Sequence, residues 1–231
     1  MDPTPERVLS NLRDVRDRIA AAAARSGRPA DAVRLVAVTK TVDVEVIRTL
    51  LDAGQRDLGE NRPQQFRDRA ATMAGLDIRW HMIGHLQRNK VKYVVPTAAM
   101  IHSVDSLDLA EDLSRRAEGL GLRARCLIEV NVSGEASKEG VPPAEAMDLG
   151  PAVAELPGLE LAGLMTMAPI VDDPEATRPV FAALRELGDR LNRAGGLPAP
   201  LTELSMGMTQ DYEVAIEEGA TLVRVGTALF R

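Results

Sequence analysis

Aromatic side chains are scarce in this sequence: three Phe, two Tyr and one Trp make up 3% of its 231 residues. A chain so poor in stacking surfaces is not a platform for single-stranded nucleic acid. Positive charge is not in excess either. The 28 Lys and Arg stand against 34 Asp and Glu, a formal net charge of -6. That balance argues against a general binder of nucleic acid or anionic membranes. Cysteine occurs once, as Cys126. An intramolecular disulfide, a CxxC motif and a zinc ribbon are therefore excluded, and no metal site is expected. Within "CLIEV", Cys126 reads as a packed core thiol. No apolar run approaches the ~20 residues that span a bilayer. The opening "MDPTPERVLSNLRD" lacks the basic-then-apolar order of a secretory signal. A soluble, cytoplasmic protein is expected, with neither membrane nor nucleic acid as a partner.

Hydrophobic residues, at 45%, suffice for a substantial core. The length fits one large domain or two small ones. Residues 1–27 read as a helix, with Thr4 as its cap, Pro5 in its first turn and Gly27 at its end. Val8, Leu12, Val15 and Ile19 fall on one face at helical spacing. The chain then alternates. Strand-like "AVRLVAVTK", "RDLGEN", "DIRWHMIG", "MIHSVD", "RARCLIEVNV", "LELAGLMTM", "LTELSMG" and "TLVRVGT" are each, except the last, followed by a helical segment. The helical pattern in "PPAEAMDLGPAVAELPG" predicts a break at Gly150-Pro151. Eight βα units imply a parallel sheet with right-handed crossovers. At this length they predict an α/β fold, a closed (β/α)8 TIM barrel. A single domain over 1–231 is expected, because no linker or low-complexity tract divides the chain. The N-terminal helix is an addition or takes the place of the missing last helix. An open, doubly wound sheet is the alternative.

Strand alternation sorts the polar residues. In "CLIEVNV", Cys126, Ile128 and Val130 share one face, while Leu127, Glu129 and Asn131 share the other. The uniformly apolar faces suit the helix side. Lys40, Glu129, Asn131, Glu203 and Arg224 then point inward and gather toward the barrel mouth, where barrel active sites lie. An internal salt-bridge network without a ligand explains the same pattern. "LSMGMT" after the seventh strand and "RVGTALF" at the eighth tilt the balance. Loops in these positions frequently bind phosphate. Gly207 and Gly226 permit close backbone approach, and Ser205 and Thr227 offer hydroxyls. A helix starting near Thr209 or Thr227 would add its positive end. A lysine in an apolar setting is a nucleophile toward carbonyls. Lysine beside phosphate fits pyridoxal 5'-phosphate (PLP) and also an aldolase-type barrel.

"AVTK", "LGENRPQQ", "WHMIGHLQRNK", "EVNVSGEASKEG", "GLMTMAP" and "LSMGMTQDYEVAIEEGATLVRVGTALF" together resemble the pyridoxal phosphate homeostasis protein family. More distantly they resemble the barrel domain of alanine racemase. The resemblance implies a PLP-bound barrel whose Schiff-base lysine matches Lys40. It implies phosphate binding by Ser205, Met206 and Gly207, and by Gly226 and Thr227. The ring-nitrogen arginine looks like Arg224, and Asn61, Met165 and Thr166 match pocket-lining segments. Relatives often carry Ser where this chain has Thr209. An arginine at the ring nitrogen keeps the cofactor a poor electron sink. That suits cofactor storage, or racemase-like chemistry.

Racemisation needs groups on both faces of the substrate. Alanine racemase takes its second group, a tyrosine, from a further domain for which this chain has no room. Tyr93 and Tyr212 occupy no evident mouth position, which leaves His85 as the internal stand-in. The expectation is therefore a non-catalytic carrier that holds PLP as a lysine imine for intracellular vitamin B6 homeostasis. Its partners would be PLP and PLP-dependent apo-enzymes as recipients. A PLP-dependent amino-acid racemase is the alternative, and a barrel that uses PLP to control a partner is a third reading. Lys138 in "SGEASKEG" is a candidate second, transfer lysine. The missing racemase domain favours a monomer.

Overall fold

The Thr4 hydroxyl accepts a hydrogen bond from the Arg7 N–H at 3.4 Å and opens helix α1 (Pro5–Arg25). Proline suits that first position, where its missing N–H has no partner to lose. The helix stops at Ser26, and Gly27 turns the chain at φ +70°. Val8, Leu12, Val15 and Ile19 are buried along one face. The computed structural model describes residues 3–135 and 138–231. Residues 1 and 2 of the N-terminal segment, and 136 and 137 of the "SGEASKEG" loop, lie outside that description.

After α1 the chain alternates as expected. The order is β1 (Arg34–Val38), α2 (Val44–Asp52), β2 (Asp57–Glu60), α3 (Pro63–Thr72), β3 (Arg79–Met82), α4 (Val91–Val94), β4 (Ala98–Val104) and α5 (Leu107–Glu118). It continues through β5 (Ala124–Glu129), α6 (Pro143–Ala154), β6 (Leu159–Met165), α7 (Arg178–Ala194), β7 (Glu203–Ser205), α8 (Tyr212–Glu217), β8 (Leu222–Val225) and α9 (Thr227–Phe230). The strands are parallel and close in sequence order. Strand β8 returns to β1 in the register Arg34↔Leu222 to Ala37↔Val225. The fold is thus a (β/α)8 barrel, and the open sheet is excluded. Helix α1 packs on α2, α8 and α9, so it completes the outer ring beside the four-residue α9.

Two local expectations change. Helix α6 runs through Pro151 to Ala154. Proline removes one N–H from its ladder there, and Gly150 lets the helix lie close to Leu191 of α7. Strand β1 ends at Val38, two residues before Lys40.

The barrel interior is layered. Val36, Met100, Leu127, Ala162, Met165 and Leu222 form an apolar cluster inside the barrel. The opposite strand faces, including Cys126, Ile128, Val130, Val223 and Val225, join the main core under the helices. Burial pushes the Cys126 thiol up to about 12, so it stays protonated. Among the described residues, no helix is long and apolar enough to cross a membrane.

Candidate functional site

At the C-terminal end of the strands lies a cavity of about 710 Å³. That is within the roughly 300–1,000 Å³ of small-molecule sites. Lys40, Asn61, Glu129, Arg224, Gly226 and Thr227 all line it. Lys40 and the Arg224–Thr227 segment come from opposite ends of the chain and meet because β8 pairs with β1.

Lys40 stands exposed on the loop after β1. Its backbone is held from below. The Arg69 guanidinium of α3 donates to the carbonyls of Thr39 and Val42 and pairs with Glu60. Gln65 donates to the Lys40 carbonyl at 3.0 Å. The Thr39 hydroxyl donates to Glu60 at 2.5 Å. Burial raises the Glu60 carboxyl, although Thr39 and Arg69 oppose the shift. The carbonyls that leave β1 therefore meet α3 side chains instead of a neighbouring strand.

Arg224 is buried, with 4% of its surface exposed. Its Nη1 donates to the Ser205 hydroxyl at 2.6 Å and its Nη2 to the Thr166 carbonyl at 2.9 Å. Burial pushes it down to about 10, against the attraction of Glu129 and Asp211. It therefore remains a cation at neutral pH. Glu129 is also buried. Burial pushes its carboxyl up to about 7; Arg224 opposes the shift, and Asp105 and Glu139 reinforce it.

The two late loops differ in depth. Gly207 turns at φ +89°, and a Cβ there would lie 2.6 Å from the Ala215 Cβ, so this turn demands glycine. At Gly226 a Cβ would meet the Val38 Cβ and carbonyl oxygen at 3.2 Å. Thr227 begins α9 at the cavity wall. Met165, Thr166, Ser205, Met206 and Gly207 are buried and do not line the cavity. The Ser205 hydroxyl, expected to be a phosphate donor, is instead bonded to Arg224 and, at 2.8 Å, to His102.

Two members of the expected polar constellation belong elsewhere. Glu203 is the first residue of β7 and sits at the opposite end of the barrel, bonded to Arg34, Arg125 and Thr221. The three-residue strand begins later than "LTELSMG" suggests, which puts Glu203 at its start. Asn131 folds back on its own loop and donates to the Glu135 carbonyl at 2.9 Å. Of the residues left open, His85 lines the cavity with its Nδ1 3.4 Å from Asp105. The Lys138 ammonium donates to the Met167 carbonyl at 3.1 Å. Tyr212 is buried, while Tyr93 on α4 is ringed by Arg67, Lys90 and Lys92. Neither tyrosine lines the cavity.

Sequence reasoning undervalued two residues. Thr209 lines the cavity, and its hydroxyl accepts from the Ala228 N–H at 3.4 Å. Its signal was the hydroxyl shared with the serine of relatives. Arg69, the holder of the Lys40 loop, had no sequence signal, because it reads as one more charge on a helix surface.

The family model described as alanine racemase, N-terminal domain, matches residues 10–231. The pyridoxal phosphate homeostasis protein of Aquifex aeolicus is 45% identical over 219 residues, which cover 95% of each chain. The structure of PipY from Synechococcus elongatus with PLP bound is 38% identical and superposes with a TM-score of 0.80. The match covers 92% of this chain and 100% of that one. Alanine racemase of Clostridium difficile, at 17% identity and a TM-score of 0.73, shares the fold. The match there covers 97% of this chain and 55% of the racemase chain.

Proposed function

The chain belongs to the pyridoxal phosphate homeostasis protein family, and from that premise we propose that it holds PLP at the barrel mouth through Lys40. Its role is intracellular vitamin B6 homeostasis, without substantial catalysis of its own. The observation that carries this reading is one cavity shared by Lys40 and the Arg224–Thr227 segment.

The donor set suits such a ligand. Bound there, PLP supplies an aldehyde that a lysine amine takes up reversibly with loss of water. Lys40 provides the amine. Gly226 and Thr227, with the Thr209 hydroxyl, offer backbone and side-chain donors for a phosphate. Asn61 lines the wall. Met165 joins the apolar cluster inside the barrel and Met206 the core under the helices, while Thr166, Ser205 and Gly207 support Arg224. The Thr166 carbonyl and Ser205 hydroxyl hold its guanidinium, and the Gly207 carbonyl accepts its backbone N–H at 3.0 Å.

Arg224 donates hydrogen bonds but cannot accept one. A ring nitrogen that faces it stays unprotonated, which makes the bound cofactor a poor electron sink. No tyrosine lines the cavity to serve the opposite face of a substrate. Both points favour a carrier; PLP-dependent apo-enzymes as its recipients and a monomer as its working unit are further parts of the proposal. Amino-acid racemisation is the second reading, and His85 at the cavity rim is the observation behind it.

Borohydride reduction of the PLP-loaded protein followed by peptide mass spectrometry tests the site. The adduct is expected on Lys40. Modification of Lys90 or Lys138 in its place would overturn the assignment. Racemase assays separate the two readings: substantial turnover of several amino acids, abolished by Lys40→Ala, would sink the carrier.

A further inference from the structure

We infer that Asp57, His81, His102 and Ser205 form a one-way hydrogen-bond relay across the barrel interior that fixes Arg224, with the two histidines as positioning residues. The inference rests on the reading that Arg224 meets the PLP ring nitrogen.

The direction of the relay follows from what each group can donate. Asp57 on β2 accepts from Arg79 Nε at 2.9 Å and Nη2 at 2.6 Å. It also lies 3.0 Å from His81 Nε2. A carboxylate only accepts, so His81 carries its proton on Nε2. In the neutral ring Nδ1 is then an acceptor. His81 Nδ1 lies 2.9 Å from His102 Nε2, so His102 also carries its proton on Nε2. His102 Nδ1 lies 2.8 Å from the Ser205 hydroxyl, which must donate to it. With that proton committed, the Ser205 oxygen presents a lone pair to Arg224 Nη1 at 2.6 Å. Each link leaves the next group a single choice.

Both imidazoles are buried, at 1% and 0% exposure. The charged groups that face them are Asp57 from β2, Arg34 from β1, Arg79 from β3 and Arg224 from β8. Glu129 and Asp211 face Arg224 from the mouth side. Burial holds both histidines below their ordinary value; Asp57 opposes this at His81, while His81, Arg224 and Arg34 reinforce it at His102. Without the His102 acceptor, the Ser205 proton is free to turn toward Arg224 and oppose it.

Two-bond 1H–15N correlation of the full chain labelled at histidine, with and without PLP, reads the tautomers directly. Both His81 and His102 are expected as Nε2–H, with neither carrying a second proton at neutral pH. His102→Leu is expected to weaken PLP retention about tenfold, the loss of one charge-assisted hydrogen bond. It also changes the pH profile of the visible band, while borohydride still fixes PLP on Lys40. His102→Gln, which offers both an acceptor and a donor, recovers most of the loss. An Nδ1–H tautomer or a protonated ring at either residue would overturn the relay. So would a folded His102→Leu variant with parental retention and pH profile. If the parent chain takes up no PLP, the carrier reading fails, while the tautomers still decide the relay.

Discussion

The two ends of the barrel interior carry the same kinds of charge and treat them in opposite ways. At the N-terminal end the arginines of the strands meet carboxylates. Arg34 and Arg125 pair with Glu203, Arg125 also with Glu160 at 3.0 Å, and Arg79 with Asp57 at 2.6 Å. Burial alone would raise the Asp57 carboxyl, but hydrogen bonds from Arg79 and His81 hold it well below the usual carboxylate range. At the mouth, Arg224 meets a hydroxyl and a carbonyl, with no carboxylate in salt-bridge contact among the described residues. Burial pushes Glu129 up to about 7, with Arg224 opposing the shift and Asp105 and Glu139 adding to it. Paired charges close a structure, whereas charges that face a cavity without a direct ion partner mark where a ligand completes the set.

The contrast breaks most visibly at Glu203. Glu203→Leu leaves Arg34 and Arg125 without their shared carboxylate. A loss of about 3 kcal/mol is expected in denaturant unfolding, the low end for a broken buried pair. The arginine side chains keep 35% and 32% of their surface in water, which softens the cost. PLP uptake should be unchanged, since Glu203 is remote from the cavity. A parallel loss of uptake would show that the two ends are not separate.

Glu129→Gln tests the mouth. The native Glu129 carboxyl titrates at about 7, above its ordinary 4.5. The native state therefore holds a proton that the unfolded chain has already lost between those values. Stability from this group is full below pH 4.5 and is lost as pH rises through about 7. Glutamine has no such dependence. The variant should be more stable than the parent at pH 8 by about 2 kcal/mol and nearly equal to it at low pH. Parallel stability–pH curves for parent and variant would refute the assignment. Arg224→Met has a smaller effect on stability, about 1 kcal/mol or less, because it removes two hydrogen bonds but also a buried charge. Its PLP retention should still fall by roughly tenfold or more. Unaltered retention would make Arg224 structural.

The contrast also explains what the sequence could reveal. Strand alternation put Lys40, Glu129 and Arg224 on the inner face, and Thr4, Pro5 and Gly27 marked both ends of α1, because these are local properties of the chain. Whether an inward residue belongs to the base or the mouth depends on strand registers, which are set between chain-distant partners. Ser205 lies opposite Leu222, so Glu203 falls on the N-terminal side of that pair and Arg224 on its C-terminal side. His102, read alone, is a structural histidine. Its meaning depends on His81 and Ser205, which are 21 and 103 residues away. The β3–β4 register shifts between Trp80 and His81, so alternation counted from one strand does not carry to the next.

Gln65 gives the smallest and most discriminating test. Its side chain holds only the Lys40 carbonyl, in an exposed bond of 3.0 Å. Gln65→Ala should cost about 0.5 kcal/mol in stability, the lower end for a single hydrogen bond. Arg69 still grips the carbonyls of Thr39 and Val42, so the loop keeps its path. Only the local orientation of Lys40 is loosened. PLP uptake, followed as growth of the visible band, should slow by about twofold, the kinetic equivalent of that small energy. The final adduct should remain on Lys40. A large loss of stability would show that Gln65 supports the loop as a whole. Unchanged uptake would show that Arg69 alone sets the position of the lysine.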